Sequence, residues 1–182
     1  MSYLKVCLVF LLFCSCKQVR QQATDEETVT LETIEDALIA PSFTVILTAK
    51  VLENDRFHVY FKGFDDRSFV TDNMITSLVV GKDVFQEISF VLKKDVLPIF
   101  FRIDCGINFD QQPIIFKSLK IRYLNKQYNF DKLEFAQLFR PNQYVNFVTN
   151  NGEILTSVID GRYDPHFISI NLAEIVFALR EQ

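Results

Sequence analysis

The chain has few of the residues on which enzymatic chemistry commonly depends. It contains five glycines, two histidines and no tryptophan among 182 residues. The histidines, His58 and His166, stand far apart, and no HExxH, GxSxG or Gly-rich phosphate-binding motif occurs. Paired carboxylates could still meet in the fold, but 23 acidic residues would produce such pairs by chance. The sequence therefore predicts a protein that is not an enzyme and that holds no metal or other cofactor.

Positive charge is also scarce. The chain carries 19 Lys and Arg against 23 Asp and Glu, a formal net charge of −4, and has no run of basic residues. If Lys5 leaves with a leader peptide, 18 basic residues remain against 23 acidic ones, and the net charge becomes −5. Because nucleic-acid binding depends on basic residues that neutralise phosphates, this balance argues against a nucleic-acid partner.

The N-terminal apolar run is too short to span a membrane. Met1 to Lys5 carries one positive charge, Val6 to Phe13 is an eight-residue apolar run, and Cys14-Ser15-Cys16 precedes the polar Lys17. A helix of that length measures ~12 Å, against a hydrocarbon core of ~30 Å. The order of charge, apolar run and small residues is typical of a secretory leader.

The segment Leu12-Phe13-Cys14-Ser15-Cys16 resembles the lipobox of bacterial lipoproteins, in which a small residue precedes a Cys that is acylated and becomes the mature N-terminus. The resemblance implies a signal peptide over residues 1–15 and lipidation of Cys16. Cys14 fits less well, because Phe13 would then stand where the family has a small side chain. An ordinary signal peptide or an apolar N-terminal strand is the alternative.

A lipid anchor would also give the protein its location. Two or three acyl chains, at ~0.8 kcal/mol per buried CH₂, hold a protein stably on a membrane. The lipobox resemblance therefore implies a palmitate-type anchor in the bacterial cell envelope. We expect the outer membrane, on either its periplasmic or its surface face.

Residues 16–41 are predicted to form a polar and acidic tether. The segment is rich in Gln at first and then acidic through Asp25-Glu26-Glu27, so it buries too little apolar surface to offset the entropy of ordering. The acidic triplet also resembles export signals of some surface lipoproteins, although a solvated linker explains it equally well. Leu31, Ile34 and Leu38 have the spacing of a short helix.

Cysteine usage is consistent with this division. Removal of the leader and acylation of Cys16 leave Cys105 as the single thiol of the mature protein. An internal disulfide is then impossible. A lone Cys beside strand residues, outside any CxxC or Cys/His spacing, is typical of a small buried hydrophobe.

Residues 42–182 are predicted to form one antiparallel β-sandwich domain. Its centre runs from Val84 to Tyr123, where polar breaks separate three apolar runs that read as consecutive strands. Phe43 to Val51 and Phe57 to Phe61 alternate apolar with polar residues, and the turn at Glu53-Asn54-Asp55 predicts that they form a hairpin. Nineteen Phe without Trp favour packing over recognition.

Further patterns complete the predicted fold. They are a strand from Ile75 to Val80, a β-bulge near Lys117-Ser118, a short helix capped by Asp131 and running through Leu138, an Asn151-Gly152 hairpin joining Tyr144–Val148 to Ile154–Ile159, and an amphipathic helix from Asn171 to Leu179. The predicted class is mainly β, a jelly-roll-like sandwich with a short internal helix and a C-terminal amphipathic helix.

The central block resembles the carbohydrate-binding jelly-roll domains of bacterial surface and membrane proteins. The resemblance lies in Leu97 to Asp104, in Gly106, and in the strand from Ile114 to Ile121. Cys105 stands where such domains usually have Pro, and their aromatic sugar platforms have no residue-by-residue counterpart here. The resemblance implies a sandwich fold and, as a hypothesis, a non-catalytic glycan-binding module.

Two groups of residues are candidate binding features. Arg56, His58, Tyr60 and Lys62 share one face of a predicted strand, where Tyr60 could stack on a sugar and its neighbours could bind hydroxyls. A solvated sheet face is the alternative. Asp104, Asn108 and Asp110 surround Gly106 with oxygen ligands that suit Ca²⁺, although turn-forming roles explain them too.

Two functions from different classes fit the sequence. The first is a lipid-anchored binding module that holds a glycan without turnover. The second is an assembly lipoprotein that docks a protein partner of the envelope through a strand edge or an apolar patch. Exposed Tyr beside polar groups on a sheet face would favour the first, and an exposed edge or apolar patch the second.

Overall fold

The alternating apolar residues of the chain form strands whose apolar faces meet in one core. The computed structural model describes residues 41–93 and 96–181, so the predicted leader, Cys16 and nearly all of the predicted tether lie outside it. Within those ranges the elements are β1 (Phe43–Val51), β2 (Asp55–Lys62), a 3₁₀ turn (Thr71–Asn73), β3 (Met74–Val79), β4 (Lys82–Val91), β5 (Phe100–Asp104), β6 (Ile114–Tyr123), β7 (Lys126–Phe130), α1 (Lys132–Leu138), β8 (Phe139–Pro141), β9 (Val145–Val148), β10 (Glu153–Thr156), β11 (His166–Ser169) and α2 (Ala173–Arg180).

The strands form two antiparallel sheets that pack as a sandwich. The first sheet has the order β4-β1-β6-β10-β9, with β7 also paired to β6, and the second has the order β3-β2-β5-β11-β8. Inward side chains from both sheets form one cluster of buried apolar residues. The predicted class is confirmed: the protein is mainly β, with two antiparallel sheets, a short internal helix and a C-terminal helix.

The predicted hairpin between β1 and β2 is wrong. β1 pairs with β4 and β6 in the first sheet, whereas β2 pairs with β3 and β5 in the second, so the chain crosses the sandwich at Leu52–Asn54. Both strands alternate because each has one buried face, and that pattern does not identify the strand's partner. The Asn54 carboxamide oxygen accepts a hydrogen bond from Gly81 N at 2.9 Å, and this bond ties the crossing to the β3–β4 connection.

The three central strands are present, and they alternate between the sheets. β4 and β6 flank β1 in the first sheet, and β5 lies in the second. The predicted bulge is confirmed: Thr48 pairs with Ser118 while Ala49 pairs with Phe116, so Lys117 is the extra residue. Because of this extra residue, Phe116 before the bulge and Leu119 and Ile121 after it all face the buried side of the sheet, although their sequence numbers are even and odd.

Phenylalanine dominates the core, as the composition predicts. Nine of the largest fully buried side chains in the described part of the chain are Phe. Phe135 of α1 stacks on Phe116 and Phe139, with ring centroids 4.4 and 4.6 Å away. The Asp131 carboxylate caps α1 by accepting hydrogen bonds from the backbone of Leu133 and Glu134, which confirms the predicted cap.

The C-terminal part follows the predicted pattern with shifted ends. β9 and β10 form the hairpin around Asn151-Gly152, but β10 ends at Thr156 and does not reach Ile159. In α2 and its cap, Leu172, Val176 and Leu179 are buried. None of the helices in the described ranges is long and apolar enough to cross a membrane.

Candidate functional site

The four predicted binding residues lie on β2 and face away from the core. Phe57, Val59 and Phe61 are fully buried, so the alternate positions are on the outer face of the second sheet. The four do not act as one group. The Lys62 ammonium lies over the rings of Phe69 and Phe100 and donates to the Asp66 carbonyl, which takes it away from His58 and Tyr60.

The strand pairing brings both histidines of the chain next to Asp104. A row of four polar side chains crosses β3, β2, β5 and β11: Thr76, His58, Asp104 and His166. Residues directly opposite each other on neighbouring antiparallel strands have Cβ atoms about 4.5–5.5 Å apart. No local sequence pattern indicates this row, because its members come from four separate segments.

Arg102 of β5 connects this row to Tyr60. Its Nε and Nη2 donate to the two carboxylate oxygens of Asp104 at 2.6 and 2.9 Å, and Nη2 also donates to Asp164 Oδ1 at 2.5 Å. The guanidinium carbon lies 5.2 Å from the centroid of the Tyr60 ring. We call Arg102, Asp104, Asp164 and His166 the Arg102 network. Since the cation covers part of the Tyr60 ring, this Tyr offers less stacking surface than the sequence suggested.

His166 is held at the far side of the network. Its Nδ1 lies 2.9 Å from the Asn142 side-chain nitrogen and 3.0 Å from the Asp164 carbonyl oxygen. These two neighbours hold the imidazole ring, and Nδ1 accepts from the Asn142 amide or donates to the Asp164 carbonyl according to the tautomer of His166. His58 is oriented in a similar way, because its Nδ1 lies 2.8 Å from Thr76 Oγ1.

Burial and charge set the protonation preferences of the site. Burial raises the pKa of the Asp104 carboxyl, and the hydrogen bonds and charge of Arg102 offset part of that effect. Burial also lowers the pKa of His58, with the charge of Asp104 acting in the opposite direction. The pKa of the Tyr60 phenol is raised, chiefly by burial, so the hydroxyl stays protonated. The site therefore combines the Arg102 cation and its two carboxylate partners with the hydrogen-bonding groups of His58 and Tyr60.

The predicted Ca²⁺ ligands do not converge. Asp104 is bound to Arg102, while Asn108 Oδ1 accepts from the Asp110 backbone N–H in a local turn. Within residues 41–93 and 96–181, no three His, Cys, Asp or Glu side chains form a group suited to a metal ion. The turn-forming alternative accounts for Asn108 and Asp110.

Asp55, which the sequence suggested only as a turn residue, organises the loop after β5. Its carboxylate accepts hydrogen bonds from Ile107 N at 2.8 Å, Asn108 N at 3.1 Å and Gln111 Nε2 at 2.8 Å. Gly106 has φ +104°, and a Cβ there would overlap the Asp55 carboxylate. The loop conformation therefore requires both residues.

The features that separate the two functional hypotheses are both present. Tyr60, Tyr123, Tyr128 and Tyr163 are partly exposed, and Tyr144 is buried. β3 and β4 are each one of the two end strands of their sheets in the described part of the chain. Exposed apolar side chains lie on or next to these edges: Leu78, at 75% exposure, with Val80, Val84 and Phe85.

No protein-family model, no curated protein and no solved structure matches this chain.

Proposed function

We propose that this chain is a lipid-anchored protein of the bacterial envelope whose sandwich binds a glycan, without turnover, on the outer face of the second sheet. The observation that carries the binding proposal is the Arg102 network beside His58 and Tyr60. Hydrogen bonds orient the network and His58, and the Arg102 guanidinium packs on the Tyr60 ring, so a ligand would meet groups whose positions need little further ordering. Perturbed, partly buried ionisable groups of this kind are enriched at functional sites.

The contacts with a ligand would be mainly hydrogen bonds. Arg102 covers part of the Tyr60 ring, which leaves the phenolic hydroxyl as the better contact. Aromatic stacking adds only ~0.5–1.5 kcal/mol beyond burial, so one Tyr cannot by itself give tight binding. We expect weak affinity for a single site, strengthened where several sites act together.

A glycan array followed by calorimetric titration tests this proposal. Tyr60→Ala should weaken binding to the best glycan at least fivefold, and Tyr60→Phe should lose most of the same affinity if the hydroxyl is the contact. Lys120→Ala, on the outer face of the first sheet, is the matched control and should bind like the unmodified protein. Unchanged affinity in Tyr60→Ala would move the site elsewhere.

The lipid anchor is tested separately by cell fractionation and fatty-acid labelling. Cys16→Ala should abolish labelling and release the protein from membranes, because the residue that resembles the acylated Cys is gone. Cys14→Ala should remain labelled and membrane-bound. The reverse result, with labelling lost only in Cys14→Ala, would contradict the assignment of Cys16.

Docking of an envelope protein is the second candidate, and the edge of β3, which has no strand beside it in the described part of the chain, favours it. An extended segment of a partner could add a strand there, next to the exposed side chain of Leu78. A photo-reactive residue placed at 78 should then form one discrete cross-link in intact cells, while one placed at 120 should not. That result, combined with a glycan array without binding, would favour docking over glycan recognition.

A further inference from the structure

The outer face of the second sheet is basic, although the chain as a whole is acidic. In the described strands of that sheet, the outward positions hold four cationic side chains against one carboxylate: Arg56, Lys62, Arg102 and Arg140 against Asp104. Asp164 adds a second carboxylate from the loop before β11. The whole chain has a formal charge of −4. This face is therefore a local positive region.

Three of the four carboxylate oxygens on this face already accept a hydrogen bond from Arg102. Both carboxylate oxygens of Asp104 accept from Arg102, and Asp164 Oδ1 does as well. The second oxygen of Asp164 lies 3.4 Å from His166 Nδ1. A ligand would therefore find few free acceptors beside these donors.

Several donors, by contrast, have no partner within residues 41–93 and 96–181. They are the guanidinium groups of Arg56 and Arg140, the Nη1 of Arg102 and the hydroxyl of Tyr60. A sugar hydroxyl is both donor and acceptor, so it needs both kinds of group from the protein. Carboxylate, sulfate and phosphate groups only accept, and their hydrogen bonds to Arg are stronger because both partners are charged.

We propose that the ligand of this face is an anionic saccharide, bound through its carboxylate, sulfate or phosphate group. This inference rests on the proposed glycan-binding function and specifies its ligand class. The oxyanion contacts the free nitrogen of Arg102 and the hydroxyl of Tyr60, and Arg56 and Arg140 attract the same negative ligand from the two sides of Arg102 on the same face. Neutral glycans of the same shape bind more weakly, because the face offers them few acceptors.

Calorimetry with matched charged and neutral probes tests the inference on the full-length mature protein. The probes are tri-galacturonate, its neutral methyl ester and a sulfated heparin hexasaccharide. At least one of the anionic probes should bind tenfold or more tighter than the ester, and its affinity should fall as salt rises from 20 to 300 mM, since exposed charges are screened. Arg56→Gln and Arg140→Gln should each weaken the anionic probe threefold or more and leave the ester unchanged.

Arg122→Gln is the control variant, because Arg122 lies on the outer face of the first sheet. It should leave all affinities unchanged, and an equal loss in this variant would mean that overall charge, not this face, governs binding. Equal affinity for an anionic probe and the neutral ester, or binding of neutral glycans alone, would overturn the anionic inference and leave the proposed function intact. Absence of binding to every probe and every arrayed glycan would overturn both.

Discussion

The outer faces of the two sheets carry similar residues but arrange their charges differently. On the first sheet, Lys50 pairs with Asp83 at 2.8 Å and Lys120 with Glu87 at 3.7 Å, and the Asp83 side chain is 81% exposed. On the second sheet, the side chains of Arg102 and Asp104 are only 24% and 11% exposed. The first face therefore has separate ion pairs in water, and the second has a connected, partly dehydrated network.

The two faces therefore differ in how much their ion pairs are expected to contribute to stability. Exposed ion pairs contribute ~0–1 kcal/mol each, because water and salt screen them. A carboxylate held out of water needs its partner, since removing one member leaves an uncompensated charge. Partly buried, perturbed ionisable groups are enriched at functional sites, and for that reason we propose that the site lies on the second sheet.

The largest expected effect is on stability. Asp104→Ala should lower the free energy of unfolding by about 2 kcal/mol, less than the full value for a deeply buried pair because Asp164 still contacts Arg102. Asp83→Ala should lower it by less than about 1 kcal/mol. Urea unfolding followed by circular dichroism measures both. Equal losses in the two variants would remove the distinction between the faces.

A double-mutant cycle with Arg102→Ala separates the pair from other effects of truncation. The coupling energy between Arg102 and Asp104 should exceed that between Lys50 and Asp83. A coupling near zero for the first pair would mean that Asp104 acts through packing alone.

The next effect concerns pH. Burial lowers the pKa of His58 below 6.5, against the charge of Asp104 and with the charges of Arg56 and Arg102. The unfolded chain therefore takes up this proton more readily than the folded chain, and the free energy of unfolding should fall as pH drops from 7.5 to 5.5. His58→Gln should reduce that slope when urea unfolding is repeated across the range. An identical slope in the variant would contradict a dehydrated His58.

The smallest effect is expected at Cys105, which directly follows the last residue of β5, Asp104. Cys105 is free and buried, and burial raises the pKa of its thiol far above the ordinary value. The native protein should react slowly with a thiol reagent, and a reducing agent should leave its melting curve unchanged. Fast reaction before unfolding would show that this end of β5 opens, and with it the anchor of the Arg102 network.

Prediction from sequence succeeded where the signal is local. The Asp131 cap, the Asn151-Gly152 hairpin and the bulge at Lys117 follow from a few neighbouring residues, and all three are confirmed. It failed for the hairpin of β1 and β2, because a short polar connection fits a crossing between sheets as well as a tight turn. The lipid anchor at Cys16, outside the described residues, stays a prediction.

The candidate site shows the same limit. The alternation of apolar and polar residues was enough to put His58 and Tyr60 on an outer face, since Phe57 and Val59, which alternate with them along β2, are buried. Nothing local in the sequence indicates that Arg102 would cover Tyr60, or that Asp164 would reach Arg102 from a distant loop. These contacts depend on which strands become neighbours.

The sequence by itself determined that this protein is a mainly β sandwich with a Phe-rich core, because the period of apolar residues identifies strands and their buried faces. Only the tertiary structure decided that both histidines lie beside Asp104, with Arg102 joining that row to Tyr60. The reason is physical: periodicity records whether a residue faces the core, whereas strand order depends on how all inward side chains pack together.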